Sequence, residues 1–171
     1  MSVEEAALRD TFNRIVKEYS GYVYTLCFRL LWDPQDAQDA AQETFLKLFQ
    51  NWSRYNDARG LKNWICTIAL NAARDAYRNR KARKERITDD GNIDTAPDHT
   101  DTRRTIDNRL RVERLLAGLD MKSRSVIVLF YMEQMSIKEI ARLMRRPSYL
   151  IKVWLYRARR AMLANAGGES E

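Results

Sequence analysis

Residues 136–162 read SIKEIARLMRRPSYLIKVWLYRARRAM, and the fold is decided by how this stretch is read. Ser136 stands three residues before Glu139, the spacing of a capping box that opens a helix. Apolar residues recur at helical intervals through IKEIARLM until Arg145-Arg146-Pro147 breaks the pattern. A second helix is predicted over about 148–164, with Ile151, Leu155, Ala158 and Met162 facing inward. A short helix, a tight turn and a longer helix bearing basic and aromatic residues spell a helix-turn-helix. In such a unit the second helix lies in the DNA major groove, where base edges present distinct donors and acceptors. Its outward positions are Tyr149, Lys152, Val153, Tyr156 and Arg159 or Arg160. The competing reading is a helical bundle with a solvated basic face.

Moving toward the N-terminus, Val126, Ile127, Leu129, Phe130 and Met132 mark one helix, and Leu110, Leu115, Leu116 and Leu119 another that ends near Gly118. Upstream of these the helical period vanishes. Residues 87–102 hold five aspartates and no Lys or Arg, with Asp-Asp-Gly and Ala-Pro-Asp among them. That composition reads as an acidic linker. The first third is helical again. Leu8, Phe12, Ile15, Tyr19, Val23, Leu26 and Leu30 form an apolar face with a bend placed at Ser20-Gly21. Asp33-Pro34 is a helix start with Asp as cap and Pro at the first position. The next face is Ala37, Ala41, Phe45, Leu48, Phe49 and Trp52, with Asp36, Asp39 and Glu43 opposite. SRYNDARG (53–60) is a polar loop. A helix over about 61–85 carries a buried stripe of Leu61, Ile65, Ile68, Ala72 and Ala76, and an adjacent stripe of Trp64, Asn71, Asp75 and Arg78.

The expected fold is therefore all-α: two small helical domains over 1–86 and 105–166, a flexible linker over 87–104 and a disordered tail over 167–171. Scarce glycine and proline, 6 and 3 in 171 residues, disfavour a turn-rich all-β fold. The formal net charge is +7, and its basic part is concentrated in two places. Residues 74–86 hold seven basic side chains and residues 138–160 hold eight. Two cationic surfaces on one tether suit a polyanion gripped at two points. Cys27 and Cys66 each lie in an apolar helical pattern and read as buried thiols in a reducing compartment. With His99 alone in the linker, they make no recognisable zinc site, and no cofactor is expected. No apolar run approaches the ~18 residues of a membrane span. The start MSVEEAALRD has no signal-peptide character, so a cytoplasmic location is expected.

On helix 61–85 the basic end suits phosphates, and Asn71 and Asp75, one turn apart, suit a base edge. Taken alone, Asn71 reads sooner as a solvent-facing amide than as a base contact, and Trp64 reads as a core anchor even within a DNA-binding protein. Together, the parts resemble a known family. DAQDAAQETFLKLF (36–49) contains D-A-x-D-x-x-Q-E-x-F. LKNWICTIALNAARDAYRNRKARK (61–84) contains W-x-x-x-I-A-x-N-x-x-x-D-x-x-R. Both resemble conserved region 2 of bacterial sigma factors. Residues 115–162, with S-x-x-E-I-A at 136–141 and R-A-R at 157–159, resemble region 4. Nothing resembles regions 1.1 or 3 of the larger members, which points to the extracytoplasmic-function (ECF) class of the sigma-70 family.

The resemblance implies an RNA polymerase sigma factor without catalytic activity of its own. It implies that Asp36, Asp39, Gln42 and Glu43 dock on the clamp helices of the polymerase largest subunit, with further contact at the flap. Loop 53–60, through Arg54 and Asn56, and helix 61–80 would recognise the −10 element as single-stranded DNA. Asn71 would hold a flipped base, beside Asp75 and Arg78, while Arg80, Lys81, Arg83 and Lys84 grip the backbone. Region 4 would bind the −35 element as duplex through Tyr149, Leu150, Lys152, Val153, Trp154 and Arg157. In the family this helix usually opens with a small residue, then Thr or Ser, Val, a basic residue, Ser and Arg. Here the run is Tyr149-Leu150-Ile151-Lys152-Val153-Trp154, so its −35 preference departs from the usual one, or Tyr149, Leu150 and Trp154 serve another protein. The acidic linker would follow the RNA exit path or act as a solubilising tether. Control in trans by an anti-sigma factor, with tethering at the inner membrane through it, is also implied. Two rivals remain from the residues alone. One is a helix-turn-helix regulator that acts without polymerase. The other is a metal-dependent nuclease using Asp36, Asp39 and Glu43.

Overall fold

The computed structural model describes residues 3–87, 112 and 114–167, and every regular element among them is helical. The first unit contains α1 (Val3–Leu31), α2 (Pro34–Gln50), two short 3-10 turns (Trp52–Arg54 and Asp57–Arg59) and α3 (Leu61–Ile87). The second contains a helical turn at 114–117, α4 (Met121–Ile127), a π-helical turn (Val128–Met132), α5 (Ile137–Met144) and α6 (Ser148–Gly167). Contacts group residues 1–81 and 82–171 separately, the division falling in the last turns of α3. The expected linker beyond residue 87, Leu110 and the tail beyond Gly167 lie outside the described residues.

In the first unit α1 packs chiefly on α2. It buries Ile15, Val23, Leu26, Cys27, Leu30 and Leu31, a stripe at helical spacing. α1 runs through Ser20-Gly21, where the sequence suggests a bend, without a break in the helix. A glycine costs a helix about 1 kcal/mol, and the apolar stripe on both sides of Gly21 outweighs that. α1 ends where Trp32 turns left-handed (φ 55°) and its N–H donates to Phe28 O at 2.7 Å. Asp33 then caps α2 by accepting from the Asp36 N–H at 2.8 Å, with Pro34 behind it as the sequence indicated. Facing α1, α2 buries mostly small residues, Ala37, Ala40, Ala41 and Thr44, followed by Leu48. Thr44 is fully buried and satisfies its hydroxyl by donating to Ala40 O at 2.6 Å.

α3 buries Ile65, Cys66, Ala69, Leu70, Ala72 and Ala73. Of the stripe read in the sequence, Leu61, Ile68 and Ala76 are only partly covered. Small and thiol side chains carry little hydropathy, yet they permit close approach, so the covered arc is wider and rotated. Burial pushes the Cys27 thiol up to about 12, against the lowering effect of a hydrogen bond with Thr44. Both cysteines are free and buried.

In the second unit α4 and α5 both pack on α6. Leu116, Val126, Leu129, Ile140, Ile151 and Ala158 close the core, and full burial of a Leu or Ile contributes about 1.5–3 kcal/mol. Asp120 caps α4 by accepting from Ser123 N–H at 2.9 Å. The regular helix expected through Met132 instead widens into the π turn after Ile127. Arg124 is the unexpected member of this core, only 5% exposed. Its Nε donates to Leu116 O at 2.8 Å, and its Nη2 donates to Ala117 O and Leu119 O at 2.9 Å each. Helix ends leave carbonyls short of partners; here one planar guanidinium serves three carbonyls at such an end, of which Leu116 O also accepts from the Leu119 N–H at 3.1 Å.

The predicted helix-turn-helix is present. Ser136 and Glu139 form a reciprocal capping box: Ser136 N–H donates to the Glu139 carboxylate at 2.8 Å, and Glu139 N–H donates to Ser136 Oγ at 3.3 Å. These bonds hold the Glu139 carboxyl below its ordinary value, the Ser136 hydroxyl being the largest cause. α5 closes with Arg145 in the left-handed conformation (φ 52°), its N–H donating to Arg142 O and that of Arg146 to Ala141 O. Pro147 then precedes α6.

Candidate nucleic-acid interface

Three surfaces carry the residues singled out in the sequence. The first lies on α3 and the loop before it. Trp52, Tyr55 and Trp64 form a three-ring cluster, with centroids 5.3 Å apart for Trp52–Tyr55 and 5.0 Å for Tyr55–Trp64. Phe12 joins edge-on to Phe49 and Trp52. Trp64, half-buried, thus packs against the loop through Trp52 and Tyr55. Within the loop Tyr55 donates to Asp57 at 2.5 Å, and that bond is the first cause of its raised phenol pKa. Asn56 Oδ1 accepts from Ala58 N–H at 3.0 Å, so the turn consumes its acceptor. Arg54 and Asn56 are both exposed.

About three turns into α3 the stripe is as spaced in the sequence. Asn71 and Arg78 are exposed and Asp75 is half-exposed between them. Arg78 pairs with Asp75, and Asp75 also lies 3.6 Å from Lys47 on α2. Lys47 in turn sits 3.2 Å from Glu43, so an ionic chain links the two helices. Lys81 and Arg83 are exposed farther along, and the Lys84 side chain is outside those described. Arg80 is placed differently. It turns back to the α1–α2 junction, 2.9 Å from Asp36 and 3.6 Å from Asp33, and donates to Leu31 O at 3.1 Å.

The second surface is the outer face of α2. Asp39, Gln42 and Glu43 are exposed, while Asp36 is held by Arg80. Asp39 accepts from Gln35 at 3.2 Å. Leu46 and Phe49 stand beside this polar row, 56% and 52% exposed. The sequence reading assigned Phe49 to the covered face and passed over Leu46, whose place off the apolar stripe was the available signal. Glu43 and Asp36 each face a cation, and among the described residues no cluster of three or more His, Cys, Asp or Glu is placed to hold a metal ion. That pairing gives the nuclease reading no support.

The third surface is α6. Tyr149, Lys152, Val153, Tyr156 and Arg157 point outward, with Tyr149 65% and Tyr156 60% exposed. Leu150 and Trp154 are half-buried, which leaves each only an edge to offer. Arg159 donates from Nε to the Tyr131 hydroxyl at 2.6 Å and lies over the Phe130 and Tyr131 rings. The π turn therefore props one arginine of α6. Lys138, Arg142, Arg145 and Arg146 line a shallow cleft at the turn; their charge is plain in the sequence, but their convergence on one cleft is not. No described helix is long and apolar enough to cross a membrane.

Residues 15–83 match the family described as Sigma-70 region 2, and residues 109–162 match Sigma-70, region 4. A relative from Streptomyces avermitilis, an RNA polymerase sigma-E factor, is 30% identical over 133 residues, covering 76% of this chain and 70% of its own. The ECF RNA polymerase sigma factor SigW of Bacillus subtilis is 28% identical over 166 residues, 90% of this chain and 88% of its own. The fold resembles the sigma factor RpoE solved with the anti-sigma factor NepR from Bartonella quintana, with a TM-score of 0.72, 21% identity, and 89% and 94% of the two chains covered. It also resembles CnrH solved with the cytosolic domain of CnrY, with a TM-score of 0.66, 24% identity, and 95% and 91% covered. The chain belongs to the sigma-70 family of RNA polymerase sigma factors, within its extracytoplasmic-function class.

Proposed function

We infer that this chain is a promoter-specificity subunit: it binds core RNA polymerase, directs it to −10 and −35 elements, and leaves the chemistry to the polymerase. The observation that carries this is the order and coverage of the two family matches, region 2 over 15–83 and region 4 over 109–162, with exposed polar stripes on both. Asp39, Gln42 and Glu43 dock on the clamp helices around an apolar centre of Leu46 and Phe49, a polar rim about an apolar core being the usual anatomy of an interface. Region 4 adds a contact at the flap. Asn71 holds an unstacked −10 base. Asp75 and Arg78 flank it, Arg54 and Asn56 come from the loop, and Lys81 and Arg83 grip the backbone.

Unstacking a base costs a few kcal/mol, which the site must return through contacts the duplex cannot make. Melting is then differential binding, with the separated strand favoured over the duplex. On α6, Lys152 and Arg157 supply charge, and Tyr149 and Val153 offer apolar contact to thymine methyls at −35. Leu150 and Trp154 contribute edges. The domains proposed are 1–86 and 105–166, joined by 87–104. The protein works in the cytoplasm, and an anti-sigma factor controls it. Both structural relatives named above were solved with a partner of their own, one of them described as an anti-sigma factor.

The test is direct. The purified chain is mixed with core polymerase and the complex is titrated with a labelled single-stranded −10 oligonucleotide. Asn71→Ala keeps core binding and loses strand binding by about 1–3 kcal/mol, the worth of a good amide–base-edge pair. Equal strand affinity would remove Asn71 from the site, and no association with core would remove the function.

A further inference from the structure

We propose that Arg80 is a positioning residue for the polymerase-docking helix α2 and takes no part in gripping the DNA backbone. This rests on the reading of α2 as the docking helix. Arg80 lies in a basic run with Lys81 and Arg83, and the resemblance groups it with them. Its geometry separates it. One guanidinium reaches three acceptors: Nη1 lies 2.9 Å from Asp36 Oδ2 and 3.6 Å from Asp33 Oδ2, and Nη2 donates to Leu31 O at 3.1 Å. Those acceptors belong to the last residue of α1, the cap of α2 and the third residue of α2.

The Arg80, Asp33 and Asp36 side chains are 27%, 28% and 22% exposed, whereas Arg78 on the outward stripe is 76% exposed. Partial burial reduces screening, so the attraction outlasts that of an exposed pair. A phosphate would have to displace two carboxylates and a carbonyl, and would approach two like charges while doing so. The junction therefore holds Arg80 inward. What the contact supplies is a fixed direction for the first turn of α2. Asp39, Gln42 and Glu43 follow one to two turns on, so an error there is carried along the docking row. A lysine is no substitute, because its point charge cannot present the planar fork.

Three variants distinguish the roles: Arg80→Gln, Arg80→Lys and Lys81→Ala. Amide exchange in the first turn of α2 is measured on the isolated chain. Affinity for core polymerase, and the salt dependence of strand binding by the assembled complex, are measured alongside. Both Arg80 variants should speed exchange in that turn and weaken core binding about 3–10-fold, with the salt slope unchanged. Lys81→Ala should lower the slope by about 1 and leave exchange and core affinity alone. A slope that falls for Arg80→Gln and is restored by Arg80→Lys, or α2 exchange that stays at the wild-type rate, overturns the proposal. Should the wild-type chain fail to bind core, the docking reading has failed, and the exchange measurement alone still decides whether Arg80 holds α2.

Discussion

Replacing Arg124 with methionine keeps the side chain's length and apolar stem and removes its five donors. Three carbonyls lose the guanidinium, at Leu116, Ala117 and Leu119, although Leu116 O keeps the Leu119 N–H at 3.1 Å. The bonds to Leu116 and Leu119 are buried, while the one to Ala117 is partly open, so water can replace only the last. A buried acceptor left without a donor costs about 1–3 kcal/mol, and bonds to a charged group lie in the upper part of the range. The orphaned Leu119 carbonyl, with the smaller loss of one of two bonds at Leu116, therefore predicts a loss of about 2–4 kcal/mol. Small domains are stable by about 5–15 kcal/mol, so this unit would lose a large fraction of its stability. Native-state amide exchange reads it unit by unit. The slowest amides of α4 and α6 should exchange roughly 30- to 700-fold faster, at tenfold per 1.4 kcal/mol. Those of α1 and α2 should not change. Arg124→Lys should recover less than half the loss, since it cannot fork. A loss under about 1 kcal/mol in Arg124→Met would refute the reasoning, because the carbonyls would then have found other donors.

Glu43→Lys should abolish the attraction to Lys47 and place a cation in the docking row; core affinity measured by titration should fall at least about tenfold, a like-charge placement costing more than a lost surface pair. Cys27 should resist alkylation at pH 8 in the native chain and react on unfolding, as mass spectrometry would show. Its pKa is raised to about 12 when folded, so its contribution to stability is full below the ordinary thiol value and declines as pH rises from there toward 12. Glu139 has the opposite sign. Its pKa is lowered in the fold, so the capping-box contribution is present above the ordinary carboxylate value and is lost as pH falls through the lowered one. Acid titration followed by exchange at the start of α5 should show fraying that Ser136→Ala produces at neutral pH.

Much of this fold was legible because its helices announce their ends. Asp33-Pro34, the Ser136 to Glu139 box and Arg145-Arg146-Pro147 are local signals, and each falls where the sequence put it. What depended on contacts at a distance was not legible. The side of α3 that would be covered depended on alanines and a cysteine, whose hydropathy is too slight to mark a face. The continuity of α1 across Gly21 came from packing on α2, which overrode a local breaker. Arg124 read as one more basic residue, because nothing local distinguishes an arginine that caps a helix end within its own core. The same blindness applies at the interface. Asn71, Asp75 and Arg78 share a stripe by helical spacing alone. Lys47, the inward turn of Arg80 and the prop of Tyr131 beneath Arg159 each join elements separated in the chain.

The central claim is that this chain gives a polymerase its choice of start site. Core polymerase should be supplied with the chain on a library of genomic fragments, and the transcript starts mapped. The account predicts starts that depend on the added chain and share −10 and −35 elements at fixed spacing, and that fade when Asn71→Ala replaces the wild type. Starts that are the same with and without the chain, under conditions where it is folded and in excess, would contradict it.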